Sequence, residues 1–243
     1  MEKTRTIRTW GSFLLLLLLL FVFLIWNVLA GSVKLPVSEI LEILRGRGDG
    51  TQSRILLQIR LPRLLSALIL GGALSVSGYL LQTFFHNPIA GPFVLGISSG
   101  AKLCVSIVMI LLLSRGLVSS SAALIAAAFV GAMGSMGFVL AVSQKVKRMS
   151  MLVICGVMIG YICTAATDLL VTFADDSNIV NLHNWSMGSF SGMSWENVRT
   201  MALVCGAALV LVFFLSKPIR AYQLGEVYAQ SLGVPLKAFR AAL

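Results

Sequence analysis

From Leu64 to Ala101 the chain runs 38 residues without one Asp, Glu, Lys or Arg, and charge-free stretches also cover 116–144 and Phe13–Trp26. Such segments cannot build a water-facing surface, whereas a helix crossing a bilayer needs about 20 predominantly apolar residues. The composition agrees, since 12% of the 243 residues are charged, against about 25% in soluble domains. Lipid is therefore the solvent for most of the chain, which excludes an ordinary soluble enzyme. The sequence predicts an all-α polytopic membrane helix bundle of about six transmembrane helices.

The first span is Phe13–Trp26, preceded by Lys3, Arg5 and Arg8. Val28-Leu29-Ala30 before Gly31 has the small residues of a signal-peptide cleavage site, but the 14-residue apolar run is at the long end of an h-region of about 7 to 15 residues and no charge follows until Lys34, so a retained helix is expected. Pro36 to Arg45 places Val37, Ile40, Leu41 and Leu44 on one helical face, with Gly46 positioned to end the helix; this predicts a short helix at the membrane surface. Leu64 to Ala101 is too long for one span. Asn87-Pro88 and Gly91-Pro92 break it, because proline removes a donor and drives its predecessor out of helical geometry. The third span then continues to about Leu113. The fourth occupies 116–144, the fifth runs from Ser150 to about Ala174, and the sixth from Thr200 to Ser216. A polar loop holding Asp175, Asp176, His183, Trp185 and Glu196 joins the last two, and Trp185 and Trp195 suit the headgroup region.

The net charge of +10 comes from short basic clusters between apolar runs, a pattern that orients membrane proteins and does not build a nucleic-acid face. With the N-terminus inside, Lys3, Arg5, Arg8, Lys145, Lys147, Arg148, Lys217, Arg220, Lys237 and Arg240 share the inner side. The outer side holds Lys34, Arg45, Arg47, Arg54, Arg60, Arg63, Arg115 and Arg199, so a cytoplasmic N-terminus is expected. Cys104, Cys155, Cys163 and Cys205 lie in apolar stretches and read as packing residues. Gly96-Ile97-Ser98-Ser99-Gly100 matches Gly-x-Ser-x-Gly, but a nucleophile elbow needs a preceding strand and partner His and Asp residues. No catalytic residue, metal-ligand spacing or cofactor motif is identified. Gly is never followed by Lys, so no phosphate loop exists and any nucleotide must be bound by another polypeptide.

Helices in lipid associate where small residues let backbones approach. Such stripes are Gly71, Ser75, Gly78 and Gln82 in span two, Ala123, Ala127, Gly131 and Ser135 in span four, and Gly156, Gly160, Thr164 and Asp168 in span five, predicting that these three helices pack tightly. Asp168, expected near the middle of its span, costs at least about 2.5 to 3.5 kcal/mol unless it faces the bundle interior or water. Two readings stand: an internal pair with Lys102, or a position on a solvated passage. Beyond span six, residues 222–235 do not suit a membrane. Leu224, Val227, Tyr228 and Ser231 would share one face of a short helix begun by Glu226 and stopped by Gly233 and Pro235.

Arg60-Leu61-Pro62-Arg63, Gly72-Ala73-Leu74, Ser77-Gly78, Gln82, Asn87-Pro88-Ile89-Ala90-Gly91-Pro92 and Leu95-Gly96-Ile97-Ser98-Ser99-Gly100-Ala101 closely resemble the permease family of type II ABC importers, which take up iron-siderophores, haem and cobalamin. Trp185 to Phe190 with Trp195, and Leu224-Gly225-Glu226 through Ala229 to Leu236, are similar to that family's outer loop and cytoplasmic coupling helix. The resemblance runs from about Gly31 to the last residue. It implies a single permease domain over 1–243 that binds no cofactor itself and pairs with a second permease subunit. A cytoplasmic ATPase dimer carrying ATP and an extracytoplasmic binding protein complete the assembly. By the same resemblance Gly225, Glu226, Ala229, Leu232 and Gly233 would meet the ATPase. Ser150 and Met151 would lie near the cytoplasmic gate, and the fifth helix, with Thr164 and Asp168, would line the path. Tyr79 stands where the family has a small residue, Ile89 where it has Leu, and Lys102 and Asp168 are untypical. The family has about ten spans in two inverted repeats, and the second repeat is expected to be missing here, leaving a chain unable to transport alone.

Overall fold

The computed structural model describes residues 2–48, 50–91, 93, 95–113, 121–143 and 149–242. In chain order the helices are α1 (Glu2–Leu29), α2 (Val37–Leu44), α3 (Thr51–Arg54), a π-helical segment (Ile55–Arg60), α4 (Leu61–Phe85), α5 (Ile97–Leu113), α6 (Ser121–Ser143), α7 (Met149–Thr172), α8 (Asp176–Met187), α9 (Trp195–Phe214), α10 (Ser216–Gln223), α11 (Glu226–Ser231) and α12 (Leu236–Ala242). The architecture is an all-α membrane bundle. Five stretches, Thr6–Leu29, Thr51–Phe85, Ala123–Val142, Met151–Thr172 and Trp195–Phe214, are long and apolar enough to cross a bilayer. The remaining expected span is α5, whose 17 described residues make about 26 Å of helix against a hydrocarbon core of about 30 Å.

Two compact units form, Met1–Gly72 with Phe190–Ala208, and Ala73–Ser189 with Leu209–Leu243. In the first, Leu35, Ile40, Ile43 and Leu56 make a small core with Val28, Leu29 and Leu57. The α2 helix begins after Pro36 and ends at Arg45, with Gly46 at φ 78°. Ile40 and Ile43 face inward onto Leu35 and Leu56, while Val37, Leu41 and Leu44 are exposed and line an apolar groove with Leu24, Ile25 and Leu64.

Pro62 cannot donate to the carbonyl one turn earlier and its ring crowds that carbonyl. The widened π-helical turn immediately before it absorbs the mismatch. Arg60, buried at 7% exposure, turns inward from this segment. Its guanidinium donates to the carbonyls of Val28 (2.6 Å), Leu29 (3.4 Å) and Val33, so a cation closes the C-terminal end of α1, where carbonyls would otherwise be left open. Trp195 Nε1 donates to the Leu57 carbonyl at 2.8 Å, fixing the start of α9 within the same unit.

The second unit is built on α5, α6 and α7, which pack against one another. Around the link between α4 and α5, Phe84, Phe85, Ala90 and Leu95 bury against Val139 of α6 and Leu152 of α7. At the other end of the trio Val105, Met109, Ala127 and Leu182 form a second core. Leu182 belongs to α8, a 12-residue helix in the segment expected to be a polar loop. Its Asp175 N-cap position, its Leu182 and Trp185 spacing and Gly188 at φ 74° are the helix signals that the polar composition obscured. The expected break after span two is present. The α4 helix stops at Phe85, and His86 takes φ 48°, which is uncommon for a residue with a side chain. Asn87 Oδ1 then accepts from Ile89 N at 3.0 Å to shape the turn.

Candidate functional site

Backbone contact holds the trio together. Gly96, at φ 70°, sits so close to α7 that a Cβ there would lie 2.7 Å from Gly160 N and 2.8 Å from the Gly156 carbonyl. A Cβ on Gly156 would lie 2.9 Å from Leu95 Cα, and one on Gly131 would overlap the Gly100 carbonyl. Of the glycines expected to pack helices, Gly131, Gly156 and Gly160 therefore do so. At Gly71 and Gly78 an added Cβ would meet nothing within 4 Å among the described residues, so the tight trio is α5, α6 and α7 and not the α4-containing set expected. Small side chains on a helix look alike in sequence whether or not another helix covers them.

Beside this trio, Phe93, Ser99, Val157, Gly160, Tyr161 and Thr164 line an open cleft of about 270 Å³. Thr164 Oγ1 donates to the Gly160 carbonyl at 2.9 Å and lies 3.5 Å from Ser99 Oγ, so its polar atom is held along α7. Down the same helix Met151, Ile154, Met158, Tyr161 and Asp168 are exposed, forming one stripe of mixed apolar, aromatic and acidic groups. Asp168 lies one turn from the Thr172 end of α7 rather than near mid-span, a position about 6 Å from the helix terminus. It makes no ion pair with Lys102 among the described residues, which removes the internal-pair reading. Ser150 is the second residue of α7, and its side chain lies outside the described ones.

The second feature is the three-helix knob α10–α11–α12. Pro218 in the first turn of α10 suits a helix start. Gly225 at φ 121° and Gly233 at φ 82° bracket α11 with turns that residues bearing a Cβ rarely adopt. The helix begins at Glu226 and ends before Gly233, as the sequence pattern suggested, and Tyr222 and Gln223 belong to α10. Ala229 is fully buried among Tyr222, Ile219 and Phe239. Leu224, Val227, Tyr228 and Leu232 face outward, with Val227 83% exposed. An exposed apolar surface of this kind on a polar knob is a candidate interaction surface. Of the residues placed at an ATPase by resemblance, Leu232 lies on this surface, whereas Ala229 faces inward.

Beneath that surface lies a partly buried polar network, with Tyr222 fully buried and Glu226 and Arg240 half-buried. The Tyr222 hydroxyl donates to Glu226 Oε1 at 3.0 Å and lies 3.4 Å from the Phe84 carbonyl. Arg240 donates to the same Glu226 oxygen in an ion pair. Burial, with the adjoining Glu226 carboxylate, pushes the Tyr222 phenol from 10.0 up to about 12. Burial works against ionisation of Glu226, but the hydrogen bonds from Arg240 and Tyr222 and the Arg240 charge hold its carboxyl below the usual range. Burial likewise opposes the Arg240 charge, and the Glu226 bond outweighs it, so its pKa moves up.

The bundle of long apolar helices is that of a multi-pass membrane protein. Residues 17–243 match the FecCD transport family, and the chain belongs to that family. It is 35% identical over 241 residues to the vitamin B12 import system permease protein BtuC of Klebsiella pneumoniae, covering 99% of this chain and 69% of that protein. It is 32% identical over 184 residues to the hemin transport system permease protein HmuU of Yersinia pestis, covering 75% of this chain and 55% of that one. A solved structure of an inward-facing ABC transporter assigned to the metal-chelate type superposes with a TM-score of 0.73 at 27% identity, covering 93% of this chain and 71% of the other. The chain thus spans between about half and seven tenths of the length of these relatives.

Proposed function

We propose that the chain is a permease subunit of an ATP-binding-cassette importer that moves an iron-siderophore-type metal chelate across the cytoplasmic membrane by alternating access. The observation that carries this is the FecCD match over residues 17–243 on a chain that also presents the apolar face of α11. In this reading the cleft beside α7 belongs to the path, walled with a second permease copy or close paralogue. The α11 face receives a cytoplasmic ATPase dimer, an extracytoplasmic binding protein delivers the cargo, and the N-terminus lies inside. ATP closes the ATPase dimer and the docked knobs pass that movement to the spans, exposing the path to each side in turn. The chain needs no reactive group and no cofactor of its own for this.

The identity of 35% across 99% of the chain with a vitamin B12 permease supports a second reading in which cobalamin, or haem, is the cargo. A scaffold that docks the ATPase without transporting is the alternative from another class. Uptake of radio-iron siderophores, haem and cobalamin by a permease-null strain expressing this chain separates the three. Recovery of siderophore uptake supports the proposal. Recovery of haem or cobalamin uptake alone replaces its cargo, and ATPase recruitment without any uptake leaves the scaffold.

A further inference from the structure

The α11 surface is not held by its own short helix alone. Gln223 Nε2 donates to Tyr79 Oη at 2.8 Å and to Thr83 Oγ1 at 3.1 Å, both on the last two turns of α4. One residue away, the Tyr222 carbonyl accepts from His86 Nε2 at 3.1 Å, the Tyr222 hydroxyl reaches the Phe84 carbonyl, and the His86 and Tyr222 rings lie 4.8 Å apart. The two halves of the contact are of different kinds, since Tyr222 is fully buried whereas Gln223 crosses an open polar notch of about 310 Å³. Tyr79, the bulky departure from the family pattern, is thereby accounted for as the partner that Gln223 requires. Leu95 and Gly96 rest on Gly156 and Gly160 of α7, and Gly160 lines the cleft.

We propose that Tyr222 and Gln223 are positioning residues that clasp the α11 surface to the end of α4, so that movement of the ATPase enters the spans through α4 and reaches α7, against which Phe85, Leu95 and Gly96 pack. The proposal rests on the permease reading and adds to it a route and two side chains. Their hydrogen bonds, and not the apolar face, would carry the load, because an apolar face binds its partner without fixing a direction of pull.

The test uses the full chain with its ATPase, partner permease and binding protein in lipid nanodiscs. Two readouts are taken on wild type, Tyr222→Phe, Gln223→Ala and Gln223→Glu. The first is amide hydrogen exchange of residues 226–231 without nucleotide. The second is the ATP-dependent change in maleimide labelling of Thr164→Cys, in a chain whose four native cysteines are alanine. Tyr222→Phe and Gln223→Ala should speed exchange of α11 by roughly 5- to 30-fold, the factor that loss of one or two hydrogen bonds commands. Both should keep ATP hydrolysis and lose most of the ATP-dependent labelling change. Gln223→Glu, whose carboxylate can accept from the Tyr79 and Thr83 hydroxyls, should restore it. Unchanged labelling in both variants, or labelling and hydrolysis falling in parallel, overturns the proposal. Failure of the wild-type complex to bind the ATPase or to change labelling overturns the permease reading, whereas unaltered α11 exchange in the variants overturns the clasp alone.

Discussion

A methyl group at Gly131 would have to occupy the space of the Gly100 carbonyl. Gly131→Ala should therefore destabilise the protein by about 1–3 kcal/mol, as overpacking does, and lower its thermal midpoint in detergent. Gly78→Ala, which meets nothing within 4 Å, should leave the midpoint unchanged or slightly raised, since alanine is the better helix former by up to about 1 kcal/mol. Equal losses in the two variants would contradict the packing described. At Tyr222 the folded pKa is raised from 10.0 to about 12, so folding favours the neutral phenol. Its contribution is complete below pH 10.0 and is lost as pH climbs from there through about 12. The Glu226 carboxyl is shifted the other way, so its contribution is present above the ordinary carboxylate range and disappears on acidification through the lowered value. An ultraviolet phenolate titration of wild type should show one late-titrating tyrosine that Tyr222→Phe lacks.

Among the elements, α11 makes the sharpest contrast between two neighbouring positions. Val227→Asp changes a side chain that is 83% exposed, so the fold should survive. ATPase binding in a pull-down should weaken at least about tenfold, because a carboxylate pressed into an apolar interface costs more than the roughly 1.4 kcal/mol that a factor of ten represents. Ala229→Val adds two methyl groups where there is no exposed surface, and should destabilise by about 1–3 kcal/mol. The spans were legible because a charge-free run long enough to cross lipid has few other fates. The α4–α5 break was legible because Asn87-Pro88 cannot continue a helix. Other features were not. Helix α8 carries Asp176, Asn178, Asn181, His183 and Asn184, and that polarity hid a periodicity anchored by Leu182. The outward face of α11 was anticipated through Leu224, Val227 and Tyr228, while its inward seat depends on Phe84, His86 and Phe239, more than a hundred residues away or in a later helix, and no local pattern encodes such partners.

For the molecule as a whole, the proposed function requires the knob on the cytoplasmic side. Helix α9 has 20 residues, about 30 Å of rise, so α8 before it and α10 after it must emerge on opposite sides of a bilayer. A reporter fused after Ser231 should give a cytoplasmic signal and one inserted in α8 an external signal. The reversed pair would deny the α11 surface access to an ATPase and remove the importer reading. The inner basic residues Lys217 and Arg220 on α10 support this orientation.

Where Gly96 rests on Gly156 and Gly160, and Gly100 on Gly131, peptide planes touch with no layer of side chains between them. Side chains can change rotamer and let one helix slip past another; bare peptide planes cannot, and the three helices become in effect a single mechanical part. Any rearrangement of the cleft must then tilt that part entire about its outer joints, and a covalent staple between α5 and α6 should leave turnover untouched while a staple between the end of α4 and α7 should stop it.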